Sequence, residues 1–150
     1  MLVLGPIAFN SSRDSSFRTS IEIFPREVGP YPAVLDPAYY AQLLRDPHLR
    51  QRTTVNVGAD AADFDDVSVA RSASGRTLVV SAAAATPADA QRFATELGPQ
   101  LANATVRQLS PVAKADTARI RARLTDERLS RAERDRLQRR LSAIERLGPD

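Results

Sequence analysis

Few residue types in this chain could carry out catalysis. The 150 residues include one histidine, His48, one lysine, Lys114, and no cysteine, which excludes disulfides, thiolate metal sites and thiol nucleophiles. A serine hydrolase would depend on His48 alone, because no Gly-x-Ser-x-Gly sequence is present. One histidine without cysteine is a poor zinc site, and no glycine-rich phosphate loop precedes Lys114. We therefore expect no enzyme, no cofactor and no metal, with His48 exposed or capping a helix start beside Pro47.

An acidic run could attract a hard cation. It consists of Asp60, Asp63, Asp65 and Asp66. Calcium prefers oxygen ligands, but this run lacks the spacing and the closing glutamate of an EF-hand loop. We interpret it as a solvated loop.

The three tyrosines could stack on a sugar ring. Tyr31, Tyr39 and Tyr40 belong to a chain with only five phenylalanines and no tryptophan. Because large side chains are scarce, packing around the first helix is the favoured interpretation.

Positive charge is concentrated in the last third of the chain. Residues 1–100 carry nine arginines against eleven acidic residues, a net charge of −2, whereas residues 101–150 carry 12 basic against seven acidic residues, a net +5. Ten arginines lie at Arg119, Arg121, Arg123, Arg128, Arg131, Arg134, Arg136, Arg139, Arg140 and Arg146. Acidic residues are interleaved with them, and no aromatic residue is present to stack a base. A solvated helical surface and an anionic partner both remain open, but a nucleic acid is not expected.

Period-two alternation predicts three or four strands. Residues 17–24 alternate apolar and polar side chains, which predicts a half-buried strand. Residues 67–71 and 76–82 predict two strands of a β-hairpin, since the segment between them is short and rich in small residues. Residues 54–57 predict a further short strand.

Capping residues mark the helix starts. Asp36, Asp46 and Thr86 each precede a proline, which suits the first helical position because its missing N–H has no partner there. The Gly-Pro pair at 98–99 predicts a kink or break in the helix that follows Thr86. The Ser-Pro pair at 110–111 predicts another helix start.

The last third predicts an αα-hairpin. Residues 112–147 contain no strand pattern, a turn is expected near residues 125–129, and residues 130–133 form a capping box. The following segment has a narrow apolar stripe at helical spacing, similar to a coiled-coil seam. That stripe consists of Leu137, Leu141 and Ile144.

These elements predict an α+β fold, with a small mixed sheet packed against helices and then an extended α-helical hairpin. We expect an α/β domain over residues 1–110 and a basic hairpin over residues 111–150. No stretch reaches the roughly 18–20 apolar residues of a membrane-spanning helix. The apolar run within residues 1–10 fits either the outer end of such a helix or a first strand or arm lying on the core.

The order of these elements resembles one protein family. The stretches that carry the resemblance are residues 17–24, residues 36–44 with the following Asp-Pro-His-Leu at 46–49, residues 67–82 leading into Thr-Pro-Ala-Asp-Ala at 86–90, Asn103, and residues 113–147. They resemble the extracytoplasmic domain of the Wzz-type chain-length determinants, also called polysaccharide co-polymerases. The resemblance spans nearly the whole chain, but it consists of element types and a few small residues. The short hairpin suggests a divergent member, and a second membrane segment is absent from this stretch.

The resemblance implies a non-catalytic scaffold anchored in the cell membrane, with this chain on the extracytoplasmic side and next to the membrane. Such proteins form homo-oligomers and set the length of O-antigen, capsule or exopolysaccharide made by a separate polymerase. The apolar stripe would then contact other subunits, and Arg136, Arg139 and Arg140 would contact an anionic glycan or lipid headgroups. The alternatives are an extracytoplasmic sensor or adaptor domain of another membrane protein, and a cytoplasmic interaction module that uses the basic hairpin.

Overall fold

The computed structural model describes residues 16–147. Its elements are β1 (Phe17–Ile23), α1 (Pro37–Leu43), α2 (Pro47–Val57), two 3-10 turns (Ala59–Ala61 and Phe64–Asp66), β2 (Ser68–Arg71), β3 (Leu78–Ala84), α3 (Pro87–Leu124) and α4 (Arg131–Glu145). The α+β prediction is confirmed. The chain divides into a first unit, which contains the described residues up to Pro25 and Val34–Ala104, and a second, which contains Arg26–Ala33 and the residues from Thr105 onward. The apolar run within residues 1–10, for which a membrane-helix end and a first strand or arm are both open, lies outside the described residues.

The first unit contains a three-stranded sheet in the order β1-β3-β2. Both pairings are antiparallel, so the expected mixed sheet is wrong in that respect. The short 72–77 connection makes β2 and β3 antiparallel, since a parallel pair would need a long crossover. The predicted β-hairpin is therefore confirmed, and β1 pairs with the other edge of β3.

One face of the sheet packs on the helices of the first unit. Thr19 and Ile21 of β1 lie opposite Ala82 and Val80 of β3, and all four are buried. The buried side chains that share this core include Ile21, Ile23, Tyr40, Leu43, Leu44, Leu49, Val57, Leu78, Val80, Phe93, Leu97 and Leu101. The core is mainly aliphatic, as expected of a chain with so few aromatic residues.

Capping fixes the starts of α1 and α2. The Asp36 carboxylate accepts the backbone N–H of Ala38 at 2.9 Å, and the Asp46 carboxylate accepts that of His48 at 2.8 Å. Both helix starts predicted from the sequence are confirmed. The strand predicted at residues 54–57 is wrong, because α2 continues to Val57 and buries one face of that helix against the core. Burial at helical spacing outweighs the strand preference of a few β-branched residues.

The helix α3 passes through both Gly-Pro and Ser-Pro pairs. It is one 38-residue helix from Pro87 to Leu124, so a break at 98–99 and the helix start predicted at 110–111 are both wrong, whereas a kink at 98–99 stays a prediction. A proline in a helix interior costs about 3 kcal/mol relative to alanine. Leu97 and Leu101, on either side of Pro99, are fully buried in the first core, and that burial offsets the cost.

Replacing Pro99 should therefore stabilise the protein. Pro99→Ala restores a backbone hydrogen bond and relieves a clash with the preceding turn, so we expect a gain of about 1–3 kcal/mol in the free energy of unfolding. Urea unfolding followed by circular dichroism measures it. Pro87→Ala is the matched control, because Pro87 occupies the first helical turn, where proline is tolerated, and we expect a change below about 0.5 kcal/mol. Equal effects of the two substitutions would show that α3 does end near residue 98.

Candidate functional site

The second unit is a helical hairpin with its own small core. We use the term hairpin for residues 105–145, which comprise the second part of α3, the turn and α4. Ala113, Ile120 and Ile144 form the buried centre, and Tyr31, Leu124, Leu137 and Leu141 pack partly buried against it. The apolar stripe predicted on α4 is therefore largely covered by α3 of the same chain. The predicted two-helix hairpin is present, with its turn between Leu124 and Arg131.

A capping box starts α4. The Ser130 hydroxyl accepts the backbone N–H of Glu133 at 3.3 Å, and the Glu133 carboxylate accepts the backbone N–H of Ser130 at 3.0 Å. The Ser130 hydroxyl also donates to this carboxylate at 2.7 Å. These hydrogen bonds from Ser130, the side-chain one first, lower the pKa of Glu133 below its ordinary 4.5, and the nearby Arg123 and Arg136 add to the effect. The helix start predicted at Ser130 is confirmed.

Asp116 connects three segments of the second unit. Its side chain is only 15% exposed and forms ion pairs with Arg140 of α4 at 3.1 Å and with Arg119 at 3.4 Å. The Tyr31 hydroxyl donates to the same carboxylate at 3.3 Å. Burial raises the pKa of Tyr31 above its ordinary 10.0, and the negative charge of Asp116 acts in the same direction. A second ion pair, Arg121 with Glu145 at 3.0 Å, also joins α3 to α4 but is much more exposed.

The Val28–Tyr31 segment packs against the end of α4. Val28 and Tyr31 exchange two backbone hydrogen bonds, of 3.0 and 3.1 Å, across a tight turn whose first central residue, Gly29, has a φ of 58°. A β-carbon at Gly29 would lie 2.9 Å from Leu147 Cδ1 and 3.1 Å from the backbone oxygen of Ala143. Glycine is required here both for the positive φ and for this close approach. The turn places Tyr31 where its hydroxyl reaches Asp116.

The three arginines singled out from the sequence differ in their surroundings. Arg140 is held in the ion pair with Asp116, whereas Arg136 and Arg139 are exposed. Among the described residues from 105 to 147, the arginines whose side chains make no ion pair or hydrogen bond are Arg123, Arg128, Arg131, Arg136, Arg139 and Arg146. Arg140 is thus a structural residue, and positive charge remains available on Arg136 and Arg139.

A shallow, open depression of about 580 Å³ lies on α4. Its lining consists of Asp135, Gln138, Arg139, Ser142, Ala143 and Arg146. We call it the α4 depression. Sequence reasoning missed Arg146, although its position seven residues after Arg139 places both on one side of a helix. The depression combines two guanidinium groups with a carboxylate, an amide and a hydroxyl.

The other sequence candidates lie elsewhere. His48 is exposed at the start of α2, as expected, and Lys114 is exposed on α3. Asp66 pairs with Arg18, and Asp63 accepts the backbone N–H of Asp65. Among residues 16–147, no group of three or more histidine, cysteine, aspartate or glutamate side chains is placed to hold a metal ion.

The tyrosines divide between the two units. Tyr40 is buried in the first core, which raises its pKa above 10.0, and Tyr39 makes an edge-to-face contact with it at 5.2 Å. Packing around the first helix is therefore confirmed for this pair. Tyr31 belongs to the second core instead, because its turn is part of the second unit.

Comparison with known proteins gives no relative. No protein-family model, curated protein or solved structure matches this chain. Within residues 16–147, no helix combines the length and the apolar composition that crossing a membrane requires.

The two ion pairs between α3 and α4 should differ in their contribution to stability. Asp116→Asn removes a largely buried charge that two arginines and a tyrosine contact, and we expect a loss of about 1–2 kcal/mol in the free energy of unfolding. Glu145→Gln is the matched control, because its side chain is 49% exposed and solvent screens its pair with Arg121. We expect a loss below about 0.5 kcal/mol for the control. Chemical denaturation measures the free energy of unfolding of both variants. Similar losses would contradict a larger contribution of Asp116 to the stability of the hairpin.

The capping box should make the hairpin sensitive to acid. Because the pKa of Glu133 is lower in the folded chain than its ordinary 4.5, its contribution to stability is present above that ordinary pKa and is lost as the pH falls through the folded value. Glu133→Gln keeps the hydrogen-bonding pattern of a capping box without the titration. We expect the helical circular dichroism of this variant to depend less on pH in the acid range than that of the unaltered chain. Identical acid profiles of the two proteins would show that the titration of Glu133 does not contribute to the acid sensitivity of the hairpin.

Proposed function

We propose that this chain is the extracytoplasmic part of a membrane-anchored regulator of polysaccharide chain length, of the Wzz or co-polymerase type. In this role it is a non-catalytic scaffold that assembles with copies of itself and acts on a separate polymerase. The polymer is an O-antigen, a capsule or an exopolysaccharide. The alternative of a sensor or adaptor domain has no structural observation in its favour.

The continuity of α3 is the observation that carries this proposal. The helix begins two residues after the central strand of the sheet, at a Thr86 cap whose hydroxyl accepts the backbone N–H of Asp89 at 3.1 Å. The same helix contributes Phe93 and Leu97 to the first core and Ile120 to the second. A strand that leads into a helix, followed by a helical hairpin, is part of the element order on which the family resemblance depends.

The chemistry of the hairpin supports a scaffold. Asp116, whose side chain is only 15% exposed, is paired with Arg119 and Arg140, which favours a role in stability. The apolar stripe of α4 packs against α3, so contacts with other subunits would be made mainly by the exposed charged sides of the hairpin. We expect such contacts to be sensitive to salt, since exposed ion pairs are screened.

Deletion of the parent gene tests the proposal. We expect the modal length of one surface polysaccharide to be lost while its synthesis continues, which gel electrophoresis of the polysaccharide measures. The parent reading frame should also contain about 20 consecutive apolar residues on either side of this domain. A deletion that leaves the length of every surface polysaccharide unchanged would refute the proposal, and a fused cytoplasmic signalling domain would favour a sensor.

A pair of variants tests the part that the hairpin takes in this function. Ile144→Asp places a charge at a fully buried position of the second core, so the hairpin should lose its packing and the parent gene should no longer restore polymer length. Ala132→Asp is the matched control, because Ala132 is exposed on the same helix. Immunoblotting confirms that both proteins accumulate. Full function of an accumulating Ile144→Asp protein would exclude a role for the hairpin.

A further inference from the structure

The α4 depression lies on the side of the helix that faces away from the hairpin core. Leu137, Leu141 and Ile144 occupy the opposite side and pack in that core. At 100° per residue, the helical positions of Arg139, Ser142 and Arg146 lie roughly opposite this apolar stripe. This side of α4 is therefore mainly polar. Among the described residues that line the depression, only Ala143 is apolar.

Two arginines are spaced along the depression. Arg139 and Arg146 are seven residues apart, which places their α-carbons about 10 Å apart along the helix axis. Neither guanidinium makes an ion pair or hydrogen bond with another side chain of residues 16–147, although Asp135 is four residues before Arg139. Each presents a planar set of donors that matches a carboxylate with two parallel hydrogen bonds.

The remaining polar lining suits hydroxyl groups. Gln138 has an amide that donates and accepts, Ser142 has a hydroxyl that does both, and the Asp135 carboxylate accepts. A carboxylate within a purely anion-binding surface would repel the ligand. Beside two arginines it suits a ligand that carries both negative charges and hydroxyl donors.

We propose that the α4 depression binds a segment of a carboxylated polysaccharide, such as a chain of uronic acids. Arg139 and Arg146 pair with carboxylates of the polymer, while Gln138, Ser142 and Asp135 hydrogen-bond to its hydroxyl groups. The choice of a polymer over a small acid rests on the proposed function; the chemistry of the ligand rests on the lining residues.

Two other anionic partners fit this surface less well. A membrane-surface helix buries an apolar face in the lipid, but the apolar side of α4 is already packed against α3. A single-stranded nucleic acid requires aromatic side chains on which its bases stack, and none is among the lining residues. Asp135 would also repel a phosphate backbone.

Calorimetric titration of the full chain with a galacturonate oligomer at low ionic strength tests the proposal. Arg139→Gln with Arg146→Gln should weaken binding by at least roughly tenfold, because each removes a charge-assisted pair. Arg123→Gln with Arg128→Gln is the matched control, since both are exposed hairpin arginines outside the lining and the net charge changes equally. We expect the control to weaken binding by less than about threefold, through screened long-range charge alone.

Further probes make the outcome decisive. Gln138→Ala leaves the charge unchanged, and it should still weaken binding if hydroxyl groups are recognised. A neutral maltose oligomer should bind much more weakly than the galacturonate. The proposal is overturned if the galacturonate does not bind, if the control pair loses as much affinity as the depression pair, or if only vesicles containing phosphatidylglycerol or a thymidylate oligomer bind. Loss of polymer-length control on gene deletion is a separate result, so either proposal can fail while the other stands.

Discussion

The burial of one side of α3 is the constraint on which the rest of this fold depends. Phe93, Leu97 and Leu101 fill the first core beneath the sheet, and further along the same helix Ala113 and Ile120 fill the second. The helix passes through Pro99 because the buried Leu97 and Leu101 on either side of it offset the lost backbone bond. Both cores therefore take part of their helical residues from one uninterrupted segment.

Local signals predicted the fold where a few adjacent residues decide the outcome. Asp36, Asp46 and Ser130 start helices because their side chains accept backbone N–H groups two or three residues away, and no distant contact is involved. The strand predicted at 54–57 and the break at 98–99 failed for the opposite reason. Whether each of these segments is helical depends on which of its sides is buried in the core, and only the tertiary structure shows which side that is.

The candidate site likewise could be predicted only in part from local sequence patterns. Composition alone identified the basic hairpin, and helical spacing brought Arg136, Arg139 and Arg140 close together. Which of them is available depends on Asp116, which lies 24 residues before Arg140 in the sequence and takes it as a partner. Arg146 became a candidate only when the lining of the depression was known. Sequence patterns thus predict where charge accumulates, but charge pairing across α3 and α4 determines which charges remain.

The division of charge and apolar surface within α4 limits what the hairpin can do. Since Leu137, Leu141 and Ile144 pack in the intramolecular core, α4 has little hydrophobic surface left on its outer side. Any partner on its outer side must be recognised through hydrogen bonds and charge, interactions that salt weakens and that depend on geometry. Asp116 and the Ser130–Glu133 capping box hold that geometry in place, because they fix the pairing of α3 with α4 and the start of α4. A rigid, polar helix surface of this kind suits a ligand with many weak and repeated contact groups, as an extended polymer has.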